Sequence, residues 1–73
     1  MAEFKVTSEL NGMVQKLEAA PGSRVREGDT LIVLNCMKME IPVLAPKGGT
    51  LTAILVEEGA MVAEGQALAT IET

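Results

Sequence analysis

Short segments with apolar residues at alternate positions recur along this 73-residue chain, and turn-forming residues separate them. Alternation of this kind predicts β-strands with one buried face. No segment has the roughly ten residues at helical spacing that a globular helix needs. The predicted strands are residues 13–17, 30–34, 37–43, 50–56 and 67–71. Turns are predicted where glycine and proline cluster, at residues 20–22, 27–29, 46–49 and 58–59.

The second half of the chain repeats the first at a distance of 37 residues. The identical pairs include Gly12/Gly49, Gly22/Gly59, Val25/Val62, Glu27/Glu64, Gly28/Gly65 and Leu31/Leu68. Two copies this short cannot each bury a core, so they should pack on one another. We therefore expect a single all-β domain over residues 1–73. It should be a flattened barrel or sandwich of two antiparallel four-stranded sheets with a pseudo-two-fold axis.

Lys38 falls at the crossover between the two copies. If residues 30–36 pair with residues 39–43, Met37 and Lys38 form the tip of a two-residue hairpin. Such hairpins prefer Asn-Gly or Asp-Gly, because a type I′ turn needs φ > 0 at both central residues. Met-Lys lacks this preference, which is typical of places where function outweighs local stability. A turn of another type is the other interpretation, and the sequence leaves both open.

Composition favours a binding or carrier module. The chain is 48% hydrophobic with one aromatic residue, Phe4, so its core should be aliphatic. The net charge of −4 and the scattered basic residues argue against nucleic acid as a partner. One cysteine and no histidine exclude an internal disulfide and a multi-thiolate metal site, and remove the commonest general base. We expect no metal and no catalytic residue.

No apolar run approaches the roughly 20 residues that cross a bilayer, and no basic segment followed by an apolar stretch opens the chain. We therefore expect a cytoplasmic protein without direct membrane insertion. Met1 and the complete repeat fit a small stand-alone protein, although an excised domain would look the same.

The methionines on both sides of Lys38 give this lysine its significance. Exposed apolar side chains beside an amine make sense if another protein recognises that lysine and modifies it. The run from Asn35 to Glu40 resembles the attachment site of biotinyl carrier domains, whose usual core is Ala-Met-Lys-Met. Lipoyl domains share the repeat but commonly carry Asp-Lys-Ala. Over nearly its whole length the chain thus resembles biotinyl and lipoyl attachment domains of the biotin carboxyl carrier type.

This resemblance implies that Lys38 carries covalently attached biotin, with Met37, Met39 and Glu40 recognised by a biotin protein ligase. A solvated strand charge is an equally good interpretation of Glu40. The lysine would be acylated by biotin activated as its adenylate, and the ligase must supply the base because the chain has no histidine. Some bacterial relatives add a thumb after the second strand. Only residues 18–22 are available here, so a thumbless, less restrained carrier is expected.

The implied protein is a non-catalytic carrier that moves carboxyl groups between active sites of a biotin-dependent carboxylase, decarboxylase or transcarboxylase. Its partners would be biotin carboxylase and carboxyltransferase or decarboxylase subunits. Two alternatives remain: a lipoyl carrier of a 2-oxo acid dehydrogenase-type complex, and an unmodified interaction module. Cys36, where alanine is usual, is expected to be a small buried hydrophobe rather than a reactive thiol. Lys5, Lys16 and Lys47 are expected to be solvated.

Overall fold

The computed structural model describes residues 2–73 and shows an all-β fold in this range; Met1 lies outside the described residues. The strands are β1 (Glu3–Thr7), β2 (Gly12–Leu17), β3 (Arg24–Val25), β4 (Thr30–Cys36), β5 (Met39–Leu44), β6 (Gly49–Ile54), β7 (Met61–Val62) and β8 (Ala67–Glu72). They form two four-stranded antiparallel sheets, in the orders β1-β8-β6-β3 and β5-β4-β2-β7. The predicted fold class is confirmed.

Three strands are not predicted by the alternation. β3 and β7 have two residues each, too few to show a period, and in β1 only Val6 is fully buried. The five predicted strands each differ from the observed strand by one or two residues at one or both ends. The strand expected at 37–43 begins at Met39, because residues 37 and 38 form the turn, and the strand expected at 50–56 ends at Ile54.

The 37-residue repeat is visible as symmetry between the two sheets. Adding 37 to the residues of β2 and β3 gives β6 and β7, and the two strand orders are equivalent under the same shift. Each sheet contains strands from both copies, so neither copy has a complete sheet of its own. Even the irregularities repeat: register shifts in β2 and β6 leave Gln15 and Thr52, which are 37 residues apart, as extra residues. The expected pseudo-two-fold relation is confirmed.

The core between the sheets is aliphatic, as the composition predicts. Its largest fully buried side chains are Leu31, Ile32, Leu34, Leu51, Leu68, Ile71 and Val14. Each such side chain contributes about 1.5–3 kcal/mol when it leaves water. Phe4 lies outside this core, half-buried in β1, with the Lys47 amine 4.5 Å from its ring centroid.

Glycine is required at two kinds of position in the repeat: in turns with positive φ and at a close approach between two strands. The paired Glu-Gly turns place Gly28 at φ 90° and Gly65 at φ 85°, in the left-handed region that favours glycine. Gly49 is required for a different reason, because a Cβ there would collide with the backbone carbonyl oxygen of Glu72 in the neighbouring strand. The structural interpretation of the paired Glu-Gly turns is confirmed.

β5 is an edge strand, which explains how Pro42 is accommodated. Its only sheet neighbour is β4, where Val33 is the register partner of Pro42. An edge strand leaves one side of its backbone unpaired, so the missing N–H of proline costs no ladder hydrogen bond.

No helix in residues 2–73 is long and apolar enough to span a membrane.

The topology separates the Lys38 hairpin from the chain ends. β1 starts beside the C-terminal residues, where the Thr73 N–H donates to the Ala2 carbonyl at 2.8 Å. It runs away from them into the loop that leads to Gly12, which lies against Asn35 near the hairpin. In a molecule measuring 36 × 18 × 18 Å, the hairpin and the ends of the described chain therefore lie at opposite poles.

Candidate functional site: an exposed lysine hairpin

β4 and β5 form a hairpin whose tip is Met37-Lys38. Cys36 and Met39 are the last register pair, so the loop has two residues. Met37 has φ 51° and Lys38 has φ 67°, so both are left-handed, as a type I′ turn requires. Of the two interpretations that the sequence leaves open, the structure therefore shows the two-residue tip. A left-handed residue other than glycine costs on the order of 1–2 kcal/mol, so the tip is strained.

The two methionines beside Lys38 project into solvent. Met37 is 89% exposed and Met39 is 60% exposed, so neither belongs to the core. Lys38 is exposed as well. In residues 2–73 the only ion pair joins Lys16 to Glu18, so the Lys38 amine has no carboxylate partner in this part of the chain.

An accessible, unpaired amine fits covalent attachment of a group that must reach other proteins. Because the turn projects from the end of the molecule, a group attached to the lysine would not be enclosed in a pocket. The residues present therefore fit a lysine-linked prosthetic group. No cluster of three or more His, Cys, Asp or Glu side chains that could hold a metal ion occurs among the described residues.

Glu40 takes part in a short side-chain network close to the tip of the hairpin. The Gln15 Nε2 donates to Glu40 Oε2 at 2.7 Å, and the Asn35 Nδ2 donates to Gln15 Oε1 at 3.2 Å. Asn35 and Glu40 are register partners directly preceding and following the last pair of the hairpin. Glu40 is thus exposed and hydrogen-bonded, and its recognition by a ligase stays a prediction.

The contribution of Gln15 is missed by reasoning from the sequence. Gln15 lies 20 residues before Asn35 and 25 before Glu40, so no local pattern connects them. It occupies the extra position of the bulge in β2. Bulges re-aim a side chain relative to the regular alternation, and they are common beside functional sites.

Two further methionines lie exposed on the same sheet. Met13 of β2 and Met61 of β7 are register partners, 39% and 73% exposed. Their neighbours Val14 and Val62 are buried, so both methionines point outward. Reasoning from the sequence singles out neither methionine.

The remaining candidate side chains are ordinary. Cys36 is half-buried beside Met39 and has no disulfide, which agrees with a small packed hydrophobe. Lys5 is exposed in β1, and Lys16 forms its ion pair on the surface. Lys47 is exposed as well, as expected, and its amine lies 4.5 Å from the ring centroid of Phe4.

Comparison with known protein families gives a match over nearly the whole chain. The profile of the biotin–lipoyl family, described as "Biotin-requiring enzyme", matches residues 2–71. A biotin-dependent acyl-coenzyme A carboxylase alpha3 subunit of Mycobacterium leprae is 43% identical over 67 residues, which are 92% of this chain and 11% of that protein. The biotinylated protein TB7.3 homolog of the same species is 37% identical over 71 residues, covering 97% of this chain and 99% of that protein.

Solved structures agree. The urea carboxylase of Kluyveromyces lactis superimposes with a TM-score of 0.93 at 36% identity, over 99% of this chain and 6% of that one. A single-chain, multi-domain long-chain acyl-CoA carboxylase gives a TM-score of 0.87 at 31% identity, over 93% of this chain. The chain thus spans about a tenth or less of these large carboxylases and nearly all of the small biotinylated protein.

Proposed function

Since this chain belongs to the biotin–lipoyl family of biotin-requiring enzymes, we propose that Lys38 is the residue to which biotin is covalently attached. The chain is a biotin carrier domain similar to those of biotin-dependent carboxylases. The observation that carries the assignment is the position of Lys38: an exposed, unpaired amine at the apex of a strained hairpin.

Attachment uses the Lys38 amine as a nucleophile. The unprotonated Nζ attacks the carboxyl carbon of biotin activated as its adenylate; the N–C bond forms, the C–O bond to the phosphate breaks, and the amine proton passes to a base. With no histidine in this chain, that base belongs to the ligase. The amide is uncharged, so the net charge changes from −4 to −5. Met37, Met39 and Glu40 form the surface that the ligase reads.

Once attached, biotin supplies the ureido ring that accepts and releases a carboxyl group. The domain supplies a rigid base, and the hairpin holds the modified side chain at one end of the molecule. Tethering makes the encounters with successive active sites intramolecular, at high effective concentration. We propose that the domain performs no chemistry itself and serves biotin carboxylase and carboxyltransferase or decarboxylase partners. A cytoplasmic location stays a prediction.

The test is the Lys38→Arg variant, with Lys16→Arg as the matched control. Arginine keeps the positive charge, but its guanidinium stays protonated and cannot be acylated in this way. After incubation with biotin, ATP and a purified biotin protein ligase, intact mass should show one biotin on the parent and the control and none on Lys38→Arg. All three proteins should melt alike.

Peptide mapping identifies the modified residue. Biotin on Lys5, Lys16 or Lys47 with Lys38 unmodified would overturn the assignment. A lipoyl adduct on protein taken from cells would instead favour the lipoyl carrier, and the absence of any adduct in both experiments would favour an unmodified interaction module.

A further inference from the structure

We infer that Gln15 is a positioning residue for the modification of Lys38: it bridges the two strands of the hairpin just below the turn and favours the left-handed tip that presents the lysine. This inference rests on the proposed function of Lys38. Its starting point is that Met37 and Lys38 hold φ values of 51° and 67° without the Asn or Gly that would favour them. Strained backbone of this kind persists only where surrounding structure imposes it.

The hydrogen bonds of Gln15 have one consistent orientation. A carboxylate only accepts hydrogen bonds, so the Gln15 amide must turn its Nε2 toward Glu40, at 2.7 Å. Its oxygen then faces Asn35, whose Nδ2 donates at 3.2 Å. Both ends of one amide are used, and one side chain from β2 ties together the β4 and β5 residues that flank the last pair of the hairpin.

The bulge in β2 explains why Gln15 can reach both partners. The register passes from Val14 opposite Leu34 directly to Lys16 opposite Val33, which leaves Gln15 without a partner of its own in β4. Its side chain is therefore available on the solvent-facing side of the sheet, beside Asn35.

The internal repeat provides a comparison within the same molecule. The equivalent bulge in β6 carries Thr52, whose hydroxyl lies 2.7 Å from the Thr70 hydroxyl. The equivalents of Asn35 and Glu40 are Glu72 and Glu3, which are also register partners. Among the described residues, no side-chain hydrogen bond joins these two glutamates to each other or to Thr52. The copy that ends in the lysine hairpin has the amide bridge, and the copy that ends at the chain terminus does not.

The experiment is a double-mutant cycle at Gln15 and Glu40. Gln15→Glu keeps the shape of the side chain but places a second carboxylate against Glu40, so the bridge should break. In the Glu40→Gln background the same substitution should be harmless, because position 40 can then donate to the new carboxylate. Thr52→Glu makes the same charge change at the equivalent bulge and serves as the control.

Two readouts separate positioning from general stability. The intraresidue Hα–HN NOEs of Met37 and Lys38, which are strong at positive φ, should weaken in Gln15→Glu alone. With a purified biotin protein ligase, biotin and ATP, the KM of Gln15→Glu should rise roughly three- to tenfold with little change in kcat, because fewer molecules hold the competent conformation. Compared with Glu40→Gln alone, the double variant should show neither change, and compared with the parent, Thr52→Glu should show neither change.

Unchanged NOEs and KM in Gln15→Glu would overturn the inference, and so would an effect of equal size in both backgrounds or in Thr52→Glu. If the parent itself takes no biotin on Lys38, the proposed function fails, and the NOEs still decide whether Gln15 holds the tip. The two failures are therefore distinguishable.

Discussion

Lys38 differs from the other lysines in what surrounds its amine rather than in the amine itself. Lys47 lies over Phe4, and Lys16 pairs with Glu18 at 3.3 Å on a largely exposed surface. An exposed pair of this kind contributes little to stability, with a median near 0–1 kcal/mol. Since a positive charge on the surface is common, an enzyme that modifies one lysine must recognise the residues beside it. The residues beside Lys38 are two exposed methionines.

Met39→Gln should weaken modification and leave the fold intact. Met39 is 60% exposed, so its removal opens no cavity and should change the free energy of unfolding by no more than about 0.5 kcal/mol. If the ligase contacts the thioether, kcat/KM for biotinylation should fall roughly fivefold or more. This corresponds to an interface side chain whose truncation costs over about 1 kcal/mol of binding free energy. Met61→Gln, 73% exposed and two strands from the hairpin, is the control. Parent-like kinetics in Met39→Gln would exclude a recognition role.

Cys36→Ala should retain modification with a small loss of stability. The thiol is half-buried beside Met39 and has no disulfide partner. Trimming such a group should cost roughly 1 kcal/mol or less in urea unfolding. Biotin uptake measured by intact mass should match the parent, and loss of uptake in a folded variant would show that the thiol has a role in the site.

At the scale of the element, the β4–β5 hairpin combines a strained tip with a well-paired stem. The stem has six register pairs ending at Cys36 and Met39, and the strain is confined to Met37 and Lys38. The ladder can impose the turn on residues that would not choose it, since two-residue loops match the strand twist only in the mirror-image turns. The hairpin thus trades stability at its tip for the side chains it presents.

Met37→Asn should make the tip more stable and its modification slower. Asparagine tolerates the left-handed region, so the free energy of unfolding should rise by on the order of 0.5–1 kcal/mol. Modification should slow at the same time, because the most exposed thioether is lost. Met37→Leu is the matched control, since it keeps an apolar side chain and the strain and should leave stability near that of the parent. Thermal melts and ligase kinetics test both; a less stable Met37→Asn would contradict the account of strain.

At the scale of the whole molecule, the two copies of the repeat stabilise each other. β1 and β3 of the first copy lie in one sheet with β6 and β8 of the second, and β7 joins the sheet of β2 and β4. The turns interlock in the same way: the Gly22 N–H donates to the Leu51 carbonyl, and the Gly59 N–H donates to the Val14 carbonyl at 2.7 Å. Unfolding of one copy should therefore unfold the other.

Gly49→Ala tests the close approach of β6 and β8, two strands of the second copy that are neighbours in one sheet. An added Cβ would collide with the Glu72 carbonyl oxygen, and the backbone of β6 or β8 would have to move. We expect a loss of about 1–3 kcal/mol, the scale of overpacking. At the adjacent Gly48 the nearest atom is the Val25 carbonyl oxygen at 3.4 Å, so Gly48→Ala should change stability by about 0.5 kcal/mol or less. Equal stabilities of the two variants in urea unfolding would contradict the close packing at Gly49.

Much of this architecture could be predicted because its signals lie within the sequence. Alternating apolar positions predict strands, and the 37-residue repeat predicts two equivalent sheets, with Lys38 at the crossover between the two copies. The methionine flanks of Lys38 identify the candidate site in the same way. Each of these properties depends on residue types at fixed spacings along the chain, so each can be recognised without knowledge of distant contacts.

Only the tertiary structure decided which residues support the site. β3 and β7 exist because their two residues find partners in β6 and β2, and the left-handed tip exists because a paired stem closes it. The bridge of Gln15 to Asn35 and Glu40 spans 20 and 25 positions of sequence. Hydrogen bonds between distant strands depend on register and bulges, which are set when the sheets assemble around the core and leave no periodic trace in the chain.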